Sequence, residues 1–274
     1  MRGFLANRSA CVGGAITLIV MMAVAAGPWL SIYSPTDMDF VALLSPPNWQ
    51  HPFGTDSFGR DVLTRVLHGA RVSILVSGAG VLLAVVIGTA AGLLAAHYGK
   101  WVEAVLMRVA DLLLSFPSFV LALFLMVVLG FSIANVTVAI MLVYLPIFAR
   151  LTRNMATLVK DEPWVQAARL FGQPVYSILG REILPNIATP ILVQAATGVA
   201  FGIVIEAGLS FLGLGVQPPD PSLGNIMADG REYFSRAPWV LTMTGLAISV
   251  ALLGLNLLSD GMRDLMDPKL RSRI

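Results

Sequence analysis

Apolar residues are concentrated in six long stretches of this chain, and polar segments separate them. The stretches cover residues 10–32, 72–96, 102–130, 133–148, 187–212 and 239–258. A membrane-spanning helix needs about 20 mostly apolar residues to cross a hydrocarbon core of about 30 Å. The fourth stretch is short for a span, and the others are long enough. The pattern therefore predicts an all-α protein with about six transmembrane helices.

The composition agrees with an integral membrane protein that lies in the lipid bilayer. Hydrophobic residues make up 57% and charged residues 12% of the 274 residues. Soluble domains contain about 45–50% apolar and about 25% charged residues. The single cysteine, Cys11, excludes an internal disulfide. A net charge of +2 is too small to indicate nucleic-acid binding.

The distribution of lysine and arginine predicts the orientation in the membrane. If both termini are cytoplasmic, 13 of the 18 basic residues lie inside and 5 lie outside. Cytoplasmic loops of membrane proteins carry an excess of lysine and arginine, so this orientation is favoured. The opposite orientation would place the excess on the wrong side.

The chain divides into three parts along its length. Residues 1–70 are predicted to form an N-terminal transmembrane helix and an outer segment, with a short helix after Gly59. Residues 71–260 form the transmembrane domain, which contains a long inner loop at 149–186. Residues 261–274 form a cytoplasmic tail.

The inner loop contains a short amphipathic helix, which we expect from Pro163 to Gly172. Proline is favoured in the first turn of a helix, because its missing N–H group would have no partner there. Gly172 and Pro174 end the helix, since glycine accepts the left-handed cap and proline cannot continue it.

Small residues recur at a spacing of four within the predicted spans. Gly88 and Gly92 lie in the second span, and Gly198 and Gly202 lie in the fifth. This spacing lets helix backbones approach closely in a membrane. Ordinary packing of the bundle explains it, and a sliding interface in a gated pore is the alternative.

No residues with the pattern of an ATP site or an enzyme are found. A phosphate-binding loop needs two glycines and a lysine followed by Ser or Thr, and none of the three lysines has that setting. The three histidines are far apart, so we predict no metal site. We also predict no catalytic residues and no cofactor bound by this chain.

Three residues inside the spans are candidates for a pathway or a gate. Glu206 is a carboxylate deep in the fifth span, where charge is costly and usually functional; an ion pair or a protonated acid inside the bundle is the alternative. Asp111 follows Arg108 by three residues, so a pair between these two is the simpler explanation. Pro117 is expected to kink the third span.

Four sequence motifs together resemble one family of membrane proteins. They are HPFGTD at 51–56, WVQAARLFG at 164–172, EAGLSFLGLG at 206–215, and GN with ADGR within 224–231. The chain resembles the permeases of binding-protein-dependent ABC importers, and specifically the C-type subunit of the peptide/nickel branch. The second motif is typical of importer permeases in general, and the other three indicate the branch.

The resemblance implies a type I ABC importer permease-like bundle in a bacterial cytoplasmic (inner) membrane. It implies a second homologous permease, two ATPase subunits that use ATP and Mg, and a periplasmic or extracellular solute-binding protein. The short helix would insert into an ATPase, gripping it with Val165, Ala168 and Phe171. The implied ATPase-coupling residues are Pro163, Trp164, Val165, Gln166, Ala167, Ala168, Phe171 and Gly172. The implied contacts with the binding protein are Asp220, Asn225, Asp229 and Arg231.

One departure from the family pattern and several alternatives remain open at this point. In the family, the inner-loop motif usually has the sequence Glu-Ala-Ala where this chain has Gln166, Ala167 and Ala168. Gln166 has no negative charge and so cannot form a salt bridge. The function implied is passage of peptides or a related small solute, and the solute itself could be a dipeptide, oligopeptide, glutathione-like thiol, nickel chelate or antibiotic peptide. The alternatives are a stand-alone channel or ion-coupled carrier, and a structural scaffold in the membrane.

Overall fold

The structure is a computed structural model that describes residues 8–266, without the side chains of residues 8, 28, 30, 265 and 266. Within these residues the chain is helical, with no strand and one isolated β-bridge between Thr55 and Asp61. Several basic residues used in the charge count lie outside the described residues or have no described side chain: Arg2, Arg8, Lys269, Arg271 and Arg273. Most of the predicted tail, from 267 onward, also lies outside them.

Nine helices follow one another along the described part of the chain. The prediction of an all-α membrane bundle is confirmed, since five helices are long and apolar enough to cross a membrane. The number of spans is six if the bent pair Lys100–Leu114 and Ser118–Leu129 is counted as one. The helices are α1 (Arg8–Leu30), α2 (Val62–Tyr98), α3 (Lys100–Leu114), α4 (Ser118–Leu129), α5 (Ile133–Val159), α6 (Pro163–Leu170), α7 (Leu184–Phe211), α8 (Leu223–Glu232) and α9 (Pro238–Met266). A short helical turn, Val175–Ser177, and a π-helix, Ile178–Ile183, lead into α7.

Two helices extend beyond the apolar stretches that predicted them. The short helix expected after Gly59 is the beginning of α2, which starts at Val62 and continues without a break to Tyr98. The carboxylate of Asp61 caps it by accepting from the Thr64 N–H at 2.7 Å. Helix α5 continues past 148 to Val159, so the inner loop begins at Lys160 rather than at 149.

The third predicted span is broken rather than kinked. Helices α3 and α4 meet at 93°, and Pro117 has an extended backbone between them. Proline lacks the N–H that would continue the helix. Helix α4 has 12 residues and a length of about 18 Å, which is less than the bilayer core of about 30 Å. At the other end of α3, Gly99 turns the chain with φ 57° and ψ −156°, a conformation that glycine adopts far more readily than other residues.

Glycines allow α2 and α5 to pack closely along their length. A Cβ atom on Gly92 would lie 2.5 Å from the Ala149 carbonyl oxygen, and one on Gly88 would lie 2.7 Å from the Leu145 carbonyl oxygen. The predicted close approach at this pair is therefore confirmed, with α5 as the partner. Gly198 and Gly202 of α7 also pack closely, against α2 and α5. These three helices form most of the larger apolar core.

Gly88→Ala and Gly92→Ala are each expected to destabilise the protein by about 1–3 kcal/mol, because the added methyl group overpacks the contact between α2 and α5. Gly78→Ala is the matched control in the same helix, since nothing lies within 4 Å of its Cβ position. It should be neutral or stabilising by up to about 1 kcal/mol. Thermal unfolding in detergent measures all three, and equal midpoints for the three variants would contradict this packing.

Candidate functional site

Helix α6 is a short, firmly capped helix in the loop between α5 and α7. Its first residue is Pro163, as predicted. At its end the Gly172 N–H donates to the Arg169 carbonyl oxygen at 3.0 Å, and the Gln173 N–H donates to the Ala168 carbonyl oxygen at 3.1 Å. This pair of bonds is a Schellman cap, which needs a left-handed residue. Gly172 supplies it with φ +70°.

The two sides of α6 have different surroundings. Val165 is fully buried and Ala168 is 5% exposed, and both belong to the apolar core with Ile178 of the π-helix. The expected grip by Val165 and Ala168 on an ATPase is therefore wrong, because these side chains attach α6 to its own chain. The exposed apolar side chains are instead Trp164, Leu170 (89%) and Phe171 (86%).

Gln166 has a contact that explains the amide at this position. Its Nε2 donates to the Asp161 carbonyl oxygen at 2.9 Å and closes the turn before α6. An ionised glutamate has only acceptors and could not make this bond. The amide at this position therefore adds a link within the loop that a glutamate could not form. Ala167 is half-buried, and Pro163 is exposed at the start of the helix.

A cluster of ion pairs joins two segments on the predicted outer side. Asp56 accepts from Arg60 Nε at 2.7 Å and from Arg65. Asp229 of α8 lies 3.2 Å from both arginines, measured to their Nη2 atoms. Asp56 and Arg65 are almost completely buried. Sequence reasoning missed this cluster, and the only signal for it was that Asp56 and Asp229 lie in family motifs.

The four predicted contacts with a binding protein fall into two pairs. Asp229 belongs to the ion cluster, and Asn225 caps α8, where its Oδ1 accepts from the Ser222 N–H at 2.8 Å. Asp220 and Arg231 are exposed. The Arg231 guanidinium lies over the Phe211 ring, 5.6 Å from its centre.

Glu206 lies inside the bundle rather than on a surface of this chain. Its side chain is fully buried, and its Oε1 accepts from the Ser210 hydroxyl at 2.7 Å. Ser73 of α2 and Ser222, which precedes α8, also face the carboxyl group. These contacts fit an acid held within the bundle, and its role in a pathway stays a prediction.

Asp111 and Pro117 both lie near the bend between α3 and α4. Asp111 pairs with Arg150 of α5, 39 residues later, so the expected pair with Arg108 is wrong. Pro117 is exposed at the break itself. Among the described residues, no group of His, Cys, Asp or Glu side chains could hold a metal ion.

The bundle, with one short amphipathic helix held between two of its long helices, is the architecture of a type I importer permease. Residues 88–272 match the model of the binding-protein-dependent transport system inner membrane component, and residues 1–47 match the N-terminal TM domain of oligopeptide transport permease C. The chain belongs to the family of binding-protein-dependent transport system inner membrane components, in its oligopeptide permease C branch. It is a permease subunit of an ATP-driven importer.

Curated relatives align over nearly the whole chain. The dipeptide transport system permease protein DppC of Alkalihalophilus pseudofirmus is 39% identical over 97% of this chain and 88% of its own length. The di/tripeptide transport system permease protein DppC of Pseudomonas aeruginosa is 36% identical over 99% and 91%. The glutathione transport system permease protein GsiD of Pectobacterium atrosepticum is 38% identical over 99% and 90%.

Asp56→Asn is expected to destabilise the protein by about 3 kcal/mol or more, because it leaves the Arg65 charge buried beside a neutral amide. Asp229→Asn should cost less, since the Asp229 side chain is 38% exposed. Asp220→Asn, an exposed residue in the same outer segment, is the control and should change stability by no more than about 0.5 kcal/mol. Thermal unfolding in detergent ranks the stabilities of the three variants. An Asp56→Asn variant as stable as the control would contradict a stabilising role for the ion-pair cluster.

Proposed function

We propose that this chain is the C-type permease subunit through which a peptide or related small solute passes inward, driven by ATP hydrolysed on separate subunits. The observation that carries the proposal is the exposed apolar tip of α6, formed by Trp164, Leu170 and Phe171. Exposing such apolar side chains to water is unfavourable in free energy, whereas a groove in a partner protein would bury them.

The packing beneath the tip supports a coupling role. Val165 and Ala168 attach α6 to the π-helix that leads into α7. The loop also joins the end of α5 at Val159. A push or pull on the tip would therefore act on the inner ends of both α5 and α7. Such a rigid connection lets a two-state partner bias a two-state pore.

The remaining partners follow from the family. Two ATPase subunits would bind ATP and Mg, and a second homologous permease would complete the pathway. A solute-binding protein would deliver the solute on the outer side, where the exposed Asp220 and Arg231 are available for contact. This chain would contribute no catalytic residue and bind no cofactor of its own.

Peptides are the best-supported class of solute. Two of the relatives carry names for dipeptide or di/tripeptide transport, and a third is named for glutathione, which is itself a small peptide. The proposed solute is accordingly a short peptide or a peptide-like thiol. Both termini would be cytoplasmic in a bacterial inner membrane, which requires the chain to cross the membrane once between Lys100 and Ile133.

Phe171→Asp is expected to abolish solute-stimulated ATP hydrolysis in the reconstituted importer while the chain still inserts and folds, because the exposed ring is replaced by a charge at the ATPase contact. Phe40→Asp is the control and should leave stimulated hydrolysis unchanged, since Phe40 is also an exposed phenylalanine but lies far along the chain from α6 and from Asp220 and Arg231. Normal stimulated hydrolysis by Phe171→Asp would refute the coupling assignment.

Gly172→Asp should also abolish transport, through loss of the left-handed cap.

Single cysteines introduced into a Cys11→Ser background are expected to report the proposed orientation. In intact cells a membrane-impermeant maleimide should label Asp39→Cys, Phe131→Cys and Asp220→Cys. Gln173→Cys should react only after lysis. Labelling of Phe131→Cys from the same side as Gln173→Cys would mean that the chain does not cross the membrane between Lys100 and Phe131.

A further inference from the structure

The exposed half of α3 is divided lengthwise into a polar strip and an apolar strip. Successive residues of a helix are rotated by about 100°, which places Lys100, Arg108 and Asp111 within one strip about 80° wide, with Arg108 at its edge. A second strip beside it carries exposed apolar side chains. They are Trp101, Val105, Val109 and Leu112. A helix that crosses a membrane changes polarity at its ends, whereas one that lies in the interface changes it between its sides.

The contacts of α3 with α5 indicate the same placement. Glu103 pairs with Arg153 and Asp111 pairs with Arg150. The two anchor points are about 12 Å apart along α3 but only about 4.5 Å apart along α5, so the helices cross steeply. Arg150 lies about 26 Å along α5 from its start at Ile133. Under the proposed orientation α5 enters the membrane at its outer surface, so Arg150 lies near the inner edge of a bilayer core of about 30 Å. On that orientation α3, which crosses α5 at this level, lies along the inner surface of the membrane.

A polar cavity of about 560 Å³ opens between α3 and α5. Its charged lining comprises four basic side chains and two carboxylates. The carboxylates of Glu103 and Asp111 are both paired with arginines of α5. Lys100 and Arg108 form no ion pair with any described residue. The cavity therefore has an excess of positive charge, and its charged lining residues are Lys100, Glu103, Arg108, Asp111, Arg150 and Arg153.

We propose that this cavity binds the phosphate-bearing headgroup of an anionic phospholipid, whose acyl chains lie beneath the apolar strip of α3. A ligand with a charged head and an apolar tail matches the two adjacent strips, whereas an acidic protein segment would use only the polar one. Arginine and lysine are the residues that bind phosphate groups. The assignment to the inner leaflet rests on the orientation under the proposed function, but the binding itself does not.

Native mass spectrometry of the purified importer tests this site with defined lipids. Phosphatidylglycerol is expected to bind more tightly than phosphatidylcholine. Each interfacial basic residue contributes about fivefold to such binding, so the double variant Lys100→Gln, Arg108→Gln should bind phosphatidylglycerol about 25-fold more weakly. Arg181→Gln is the control, because Arg181 is an exposed arginine of the π-helix, on the same proposed side of the membrane, and does not line the cavity.

Several outcomes would overturn the proposal. Equal binding of the two lipids by the wild-type importer would show that the cavity does not select an anionic headgroup, and this readout does not depend on how the variants fold. An unchanged affinity in the double variant, or an equal loss in Arg181→Gln, would place the lipid elsewhere. Displacement of phosphatidylglycerol by inorganic phosphate alone would identify a site for free phosphate rather than for a lipid.

Discussion

The close packing of α2 against α5 is the contact on which the rest of the structure depends. Glycines at 80, 88 and 92 remove the side chains that would separate the two backbones. In a bilayer no hydrophobic force drives helices together, so close approach and good packing have to hold them. Helix α7 then packs against both, through Gly198 and Gly202, and the three helices form one body.

This body connects the two ends of the molecule. At the end predicted to face outward, Arg65 of α2 is bound by Asp56 and by Asp229 of α8, so the segments there are attached to the bundle by buried charge. At the opposite end, α5 leads into the loop that carries α6, and the π-helix returns the chain to α7. A movement imposed on α6 therefore has a short, packed route into the helices that form the core. Under the proposed function, this arrangement is the physical basis for coupling.

The sequence predicted the helices well because long apolar stretches in a membrane protein have few other structures available to them. It predicted their ends poorly where charged residues belong to helices. Arg65 lies in the first turns of α2 because Asp56 and Asp229 neutralise it, and Arg150 and Arg153 lie within α5 because α3 supplies Asp111 and Glu103. Each partner is distant in the sequence or in another helix, so local patterns did not reveal it.

Helix α6 illustrates the same limit at a smaller scale. Its position, its proline start and its glycine cap were all readable from local chemistry. The sequence did not show which apolar side chains of α6 face outward, because this eight-residue helix has apolar residues on both sides. The π-helix buries Val165 and Ala168 and thereby determines which side of α6 faces outward. Nothing in the loop's own sequence identified the π-helix as the packing partner.

Purification of the chain from native membranes in mild detergent, with mass spectrometry of the bound proteins, tests the central claim that it works as one subunit of an ATP-driven assembly. The account predicts recovery of a second permease together with one or two ATPase subunits. Recovery of the folded chain alone, able to move solute in vesicles without an ATPase, would contradict it and would indicate a self-sufficient channel or carrier.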